Sequence, residues 1–308
     1  MGNVTRKTEA LSGQTKRLLR RFDHRARKSL GQHFLIDEEV LRLITSAAEL
    51  TPSDLVMEVG PGLGVLTREL ARRAGGVIAV ELDDKLVAIL KQALAPFPNG
   101  NVVIVNGDIL EIEPATLLEE HKGKFPEVAG IASNYKVVAN LPYYITSAVM
   151  RHFLEASVKP QVMVVTVQKE VAQAIVAKPG DMSVLSISVQ FYGQPKIVSY
   201  VPARCFYPAP EVDSAILRVD LYARPPVAVT DAKSFFELVR AGFSTPRKQI
   251  VNSLAQGLKL PKAEVLSLLA KAQIAQQRRA ETLSLDEWAQ LWQVFMRVNE
   301  FVDSPGAS

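Results

Sequence analysis

Short apolar runs and helically spaced apolar positions alternate through the centre of the chain. Leu55–Val59 is the first run and leads into Gly60-Pro61-Gly62-Leu63-Gly64. Val65–Arg73 then keeps Val65, Leu66, Leu70 and Ala71 on or near one helical face. Val77–Val80 is the next run and ends at Glu81, and Asp84–Leu94 holds Leu86, Ile89, Leu90 and Leu94 in helical register. Val102–Val105, Lys136–Ala139 and Val162–Val167 continue the series. This alternation predicts an α/β fold with a doubly wound parallel sheet and right-handed crossovers. Beyond Gly180 the pattern changes. Val184–Phe191 and Ala215–Leu221 predict late strands, an antiparallel hairpin at the sheet edge. Arg224-Pro225-Pro226 marks a boundary, after which Lys233–Gly242, Arg247–Leu258, Ala263–Ala272 and Leu285–Val298 predict a small all-α domain. The expected divisions are an arm at 1–28, an α/β domain at 29–224, a helical domain at 225–302 and a disordered tail at 303–308.

Composition narrows the class. Hydrophobic residues at 48% and charged residues at 22% describe a soluble globular chain, and no apolar run reaches membrane-span length. The N-terminus lacks the apolar core of a signal peptide. The single cysteine, Cys205, cannot form an internal disulfide, which fits a reducing cytoplasm. Four histidines without paired spacing argue against a zinc site. The net charge of +4 is uneven. Residues 1–28 hold nine Lys/Arg against Glu9 and Asp23, whereas residues 29–230 hold 17 basic and 22 acidic and residues 231–308 hold 10 and 8. The positive charge therefore lies outside the central domain. A basic arm suits a polyanion and equally suits a solvated tail.

Three groups follow three successive strands. Glu58-Val59-Gly60-Pro61-Gly62-Leu63-Gly64 makes a Gly-rich turn after the first, Glu81 ends the second 17 residues after Gly64, and Asp108 follows the third. Glycines let a backbone turn tightly and approach a ligand, although dinucleotide sites share the pattern; the absence of Gly-Lys-[Ser/Thr] disfavours a P-loop. A strand-end carboxylate accepts bonds from a ribose diol or an adenine amine, or simply caps a helix. Asn140-Leu141-Pro142-Tyr143-Tyr144 ends the fourth strand. Pro142 pushes Leu141 towards an extended conformation and presents the Asn140 amide at the carboxyl edge, where open α/β sheets bind ligands. An amide oxygen, a carbonyl and a flat ring suit a planar base with an exocyclic amine. An adenosine-containing cofactor beside such a pocket points to S-adenosylmethionine and amine methylation.

The chain resembles the rRNA adenine N6,N6-dimethyltransferases, most closely the small-subunit branch. The resemblance rests on Gly31-Gln32-His33-Phe34-Leu35, Glu58 to Gly64, Val80-Glu81, Gly107-Asp108, Asn140 to Tyr144, Phe206 to Ser214, and Phe243-Ser244-Thr245-Pro246-Arg247-Lys248. It covers about residues 25–300 with the motifs in the family's order. It implies a Rossmann-like class I methyltransferase domain followed by a helical domain that contacts RNA or the ribosome. It implies transfer of methyl groups from S-adenosylmethionine to N6 of two adjacent adenines near the 3′ end of 16S rRNA. The substrate would be an immature 30S particle and the enzyme a cytoplasmic monomer. Within the site, His33 and Leu35 would close over the methionine end and sugar. Gly60 and Gly62 would line the cofactor, with Glu81 on the ribose and Asp108 on the adenine amine. Asn140, Leu141 and Pro142 would hold the target N6, and Tyr143 and Phe206 would stack on the flipped base. Arg247 and Lys248 would contact RNA. His33 stands where the family often has Asn, and Thr245-Pro246 replaces a more basic run. Three rivals remain: the large-subunit enzymes of macrolide resistance, a non-catalytic assembly or transcription factor on this fold, and a nicotinamide dehydrogenase. The Arg247-Lys248 region and long C-terminal domain favour the small-subunit branch. The intact Asn140 to Tyr143 motif argues against lost chemistry. Simpler readings stand beside several residues: Cys205 as packing, Trp288 and Trp292 as helix core, Phe206 as a core aromatic but for its Pro-x-Pro frame, and Arg247 and Lys248 as a solvated helix start.

Overall fold

The computed structural model describes residues 10–22, 27, 31–95, 100–126, 128 and 134–302. The proposed tail and most of the arm's first residues lie outside that range. The chain divides into two compact units, one of residues 1–172 and 196–221, the other of 173–195 and 222–308.

The first unit contains, in chain order, α1 (Leu11–Arg21), β1 (Phe34–Leu35), α2 (Glu38–Ala47), β2 (Leu55–Val59), α3 (Val65–Ala71), β3 (Gly76–Glu81), α4 (Asp84–Leu94), β4 (Val102–Asn106), α5 (Pro114–His121), β5 (Tyr135–Asn140), α6 (Thr146–Glu155) and β6 (Val162–Gln168). Next in the chain come α7 (Lys169–Ile175), which crosses from the first unit to the second, α8 (Val184–Tyr192) in the second unit, and β7 (Gly193–Val201), which leads back to the first, then β8 (Phe206–Tyr207) and β9 (Ser214–Leu221). The strands form a seven-stranded sheet in the order β4-β3-β2-β5-β6-β9-β7, with β1 and β8 a separate antiparallel pair. From β4 to β6 every pairing is parallel, and β9 turns antiparallel against β6. β2 and β3 are buried along their whole length. That is why they read as continuous apolar runs rather than as alternating ones. The strand order reverses at β2, which has β3 on one side and β5 on the other. The segments after β2 and β5 therefore flank the switch point, the usual ligand crevice of such a sheet.

The second unit adds α9 (Ala232–Gly242), α10 (Ile250–Leu258), α11 (Lys262–Lys271) and α12 (Leu285–Val302). Its core holds Ile187, Phe191, Phe235, Val239, Leu254 and Trp288. Trp292 is buried beside them and donates its indole N–H to Ser234 Oγ at 2.8 Å.

Four expectations change. Val184–Phe191 is a helix, not a strand. Its alternation of Ile187, Ser188, Val189 and Gln190 mimics period two, but Ser183 and Ser186 form a capping box and Ile187 and Phe191, one turn apart, pack against Phe235 and Phe236. β7 takes the second place beside β9 instead. Residues 173–195, expected in the α/β domain, belong to the helical unit because α8 is packed there. The helix expected from Arg247 starts at Ile250, so Arg247 and Lys248 lie in the exposed turn before α10 rather than on its first turn. Finally, part of the arm forms α1, whose Leu11, Thr15 and Leu19 are buried at one-turn spacing.

Candidate active site

The carboxyl ends of β2, β3, β4 and β5 open into one pocket. His33, Leu35, Gly60, Gly62, Glu81, Asp108, Asn140, Leu141, Pro142 and Tyr143 all line it. Ten residues from five separated segments thus meet in one place.

The Gly-rich turn after β2 is a backbone requirement. Gly60, Gly62 and Gly64 have φ of 65°, 57° and 77°, values that L side chains rarely adopt. At Gly62 a Cβ would also sit 3.2 Å from the Phe34 ring, a tight contact that the ring would have to yield to by a few tenths of an ångström. The Gly62 N–H donates to Glu81 Oε2 at 3.1 Å, and the Asp83 N–H donates to Oε1 at 3.0 Å. Burial pushes the Glu81 carboxyl up, and those two backbone bonds oppose the rise without cancelling it. Each oxygen keeps a lone pair for a ribose diol. Asp108 Oδ1 accepts from Leu110 N at 2.9 Å, which shapes the loop after β4. Asn106 Nδ2 and Gly107 N both donate to the Glu81 carbonyl, at 3.1 and 3.0 Å, and tie the ends of β3 and β4 together.

Asn140 ends β5 opposite Thr166 of β6, and the Leu141 N–H donates to the Thr166 carbonyl at 3.2 Å. Its Nδ2 donates to the His33 carbonyl at 3.0 Å. Among the described residues no donor bonds its Oδ1, so the amide is oriented with an acceptor to offer. His33 Nδ1 lies 2.7 Å from the Pro208 carbonyl, which can only accept, so Nδ1 carries a hydrogen. The imidazole stacks on Tyr143 with centroids 5.6 Å apart at 26°. The Tyr143 hydroxyl lies 2.6 Å from Ser214 Oγ. Tyr143 is thus held from both ends, its ring by His33 and its hydroxyl by β9.

Phe206 lies apart from the other expected site residues. It is 2% exposed, pairs with Leu35 across β1 and β8, and belongs to the core cluster with Cys205 and Ile216. It does not line the pocket and has no face to give a base in this conformation. Arg247 and Lys248 are exposed and belong to the other unit. Cys205 is buried, as expected of packing, with Sγ 3.5 Å from Asp37 Oδ2.

Three further residues shape the site. Glu58 is 1% exposed, lines the pocket and leaves Oε2 without a partner among the described residues; burial pushes its carboxyl up to about 8, which the Thr67 hydroxyl opposes and Glu81 reinforces. Asp83 caps α4 and also takes Gln32 Nε2 at 3.3 Å and Arg27 at 3.4 Å, anchoring the lip of the pocket. Tyr144 lines the mouth at 57% exposure. The Asp83-Asp84 pair before a helical run was a readable cap signal; its second partner was not, because Gln32 is distant in sequence. These features fit S-adenosylmethionine: close backbone approach at the glycines, a buried diol acceptor at Glu81, and a buried Glu58 Oε2 without a partner among the described residues.

The chain matches the family described as ribosomal RNA adenine dimethylase over residues 23–296. It is 54% identical over 291 residues to the ribosomal RNA small subunit methyltransferase A of Dehalococcoides mccartyi, with 94% of each chain covered. To the protein of the same name from Moorella thermoacetica it is 43% identical over 288 residues, covering 92% of this chain and 96% of that one. Among solved structures, the 23S rRNA methyltransferase ErmE superposes with a TM-score of 0.64 at 30% identity, over 85% of this chain and 98% of that one. A dimethyladenosine transferase from Plasmodium falciparum shares the fold with a TM-score of 0.70 at 24% identity, over 87% and 98%. The chain belongs to the ribosomal RNA adenine dimethylase family, and it is an enzyme that dimethylates rRNA adenine at N6 with S-adenosylmethionine as methyl donor.

Proposed function

We propose that the substrate is two adjacent adenines near the 3′ end of 16S rRNA, presented by an immature 30S particle to a monomeric cytoplasmic enzyme. The name carried by the relatives at 54% and 43% identity supports the small subunit over the large one. The observation that carries the chemistry is the Asn140 amide, fixed through Nδ2 at 3.0 Å with Oδ1 left as acceptor. Adenine N6 is a poor nucleophile because its lone pair is delocalised into the ring. Accepting its two N–H bonds at Asn140 Oδ1 and the Leu141 carbonyl favours a pyramidal nitrogen with a localised lone pair. Tyr143, backed by His33, stacks on the base and offsets the few kcal/mol of unstacking that flipping requires. Bound S-adenosylmethionine supplies an electrophilic methyl group on a sulfonium centre. Glu81 holds its ribose hydroxyls, Asp108 its adenine amine, and Gly60, Gly62, His33 and Leu35 its remaining length. No strong base is required before attack, since the N6 proton becomes acidic once the nitrogen is alkylated; positioning and electrostatics supply the rate. Arg247 and Lys248 contact phosphate. Mass mapping of rRNA after incubation with immature 30S particles tests the reading. Dimethylation of two neighbouring 16S adenines is expected, and methyl groups confined to 23S rRNA would overturn it.

A further inference from the structure

α1 divides its residues sharply. Leu11, Thr15 and Leu19 are buried, whereas Lys16, Arg17, Arg20 and Arg21 are exposed one helical turn apart in pairs. Residues 10–22 contain no acid. Among the described residues, none of Lys16, Arg20 and Arg21 pairs with a carboxylate. The helix dipole accounts for cations in the last turn, where Arg20 and Arg21 lie, but not for Lys16 in the middle. Lys16 and Arg20, one turn apart, repel each other, and residues 10–22 hold no acid to offset that.

The apolar side says where this face lies. Leu19 packs in a cluster with Phe34, Leu63 and Leu86, and those three line the pocket. The helix is therefore fastened to the outside of the pocket wall. At its other side Lys16 Nζ stands 5.4 Å from the Tyr207 ring centroid, and that ring is 40% exposed. Cations interleaved with an exposed ring form the pattern of single-strand nucleic-acid surfaces, where phosphates track the charges and bases stack on the rings. Residues 29–230 carry 17 basic and 22 acidic residues, so this helix is a strip of positive charge ahead of an acidic stretch of chain.

We propose that the basic face of α1, with Tyr207, is a landing surface for the single-stranded rRNA that flanks the target adenines. This inference rests on the functional reading above. The surface supplies affinity with little sequence information and delivers the strand to the mouth of the pocket.

The test is the triple variant Lys16→Gln, Arg20→Gln, Arg21→Gln, which leaves the buried face intact. Binding to immature 30S particles and to a naked 16S fragment carrying the target adenines is measured across salt concentrations. The log–log slope should flatten by about two units if each cation makes one single-strand contact, and affinity near 0.1 M salt should fall roughly tenfold to hundredfold. S-adenosylmethionine affinity and the rate at saturating particle should match the parent. The charge-conserving set Lys16→Arg, Arg20→Lys, Arg21→Lys should keep the parent slope. An unchanged slope in the Gln variant overturns the proposal, as does equal weakening by the charge-conserving set, since the loss would then not be electrostatic. Weakened binding to the particle with unchanged binding to naked RNA also overturns it, by pointing to a protein partner. A parent that leaves 16S adenines unmethylated overturns the functional reading and this inference with it. A parent that methylates them while the Gln variant keeps its slope overturns this inference alone.

Discussion

Asn140 is held by its own donor: the 3.0 Å bond from Nδ2 to the His33 carbonyl turns Oδ1 into the acceptor without further ordering on substrate binding. Asn140→Ala should therefore lower turnover by roughly 10²–10³, as removal of one preorganised polar group does elsewhere, with a smaller change in cofactor affinity. Single-turnover methylation with calorimetry on the cofactor checks both, and turnover within threefold of the parent would rule the role out. Glu58 yields a prediction about pH. Its carboxyl rises from an ordinary 4.5 to about 8 in the fold. Between those values the folded protein holds a proton that the unfolded chain has released, so stability falls as pH rises through the window and is flat above it. Glu58→Gln lacks that titration. The parent's unfolding free energy, relative to the Gln variant and without cofactor, should drop by up to about 1.4 kcal/mol per pH unit between 4.5 and 8. A difference that stays constant over the window would show an ordinary carboxyl. That Glu81, Asp108 and Asn140 meet in one pocket was legible in the sequence because each lies at or just after a strand end, and a parallel sheet brings its carboxyl ends to one edge. Phe206 was not, because its burial depends on the pairing of β8 with Leu35, far away in the chain.

Elements reveal where local pattern and packing compete. α8 reads as a strand because β-branched and serine residues alternate, yet its cap and its packing on Phe235 and Phe236 win, as tertiary context commonly does over propensity. The parallel strands posed no such conflict: β2, β3, β5 and β6 are buried and leave an unbroken apolar signature, the edge strand β4 is only partly buried but equally apolar, and each was visible to within a residue or two. α1 went unread because its three buried positions are spread through a strongly basic segment. In the helical unit, α9 and α10 meet at Gly257, where a Cβ would lie 2.6 Å from the Ala241 Cα and carbonyl oxygen. Those are backbone atoms and cannot rotate aside. Gly257→Ala gains about 1 kcal/mol of helix propensity and should still destabilise the unit, with a net loss of about 1–3 kcal/mol as the helices are forced apart. Chemical denaturation followed by tryptophan fluorescence reads this, since Trp288 and Trp292 both belong to that unit. Unchanged or raised stability would mean that the helices separate without strain.

At the scale of the whole molecule, chemistry and charge are distributed over different parts of the chain. The pocket belongs to the first unit, and Arg247 and Lys248 to the second, in an exposed turn before α10. The two units were legible as α/β and all-α, but their membership was not, since residues 173–195 precede the last two sheet strands yet pack with the helices. A linear reading assigns a segment to its neighbours; packing assigns it to whatever covers its apolar face. The position of Arg247 and Lys248 alters the argument for RNA contact as well. They stand just ahead of the N-cap of α10 rather than on its first turn, and what supports RNA contact is two exposed adjacent cations in a segment with more basic than acidic residues. Contacts of this kind supply affinity that is lost with salt, and little else. Arg247→Ala combined with Lys248→Ala should flatten the log–log salt dependence of particle binding by about one to two units, raise KM for the particle, and leave S-adenosylmethionine affinity unchanged. Because the reacting groups sit in the other unit, saturating particle should restore the parental methylation rate. An unaltered salt slope would remove these residues from the interface, and a rate that stays low at saturation would mean that they shape the active site rather than hold RNA.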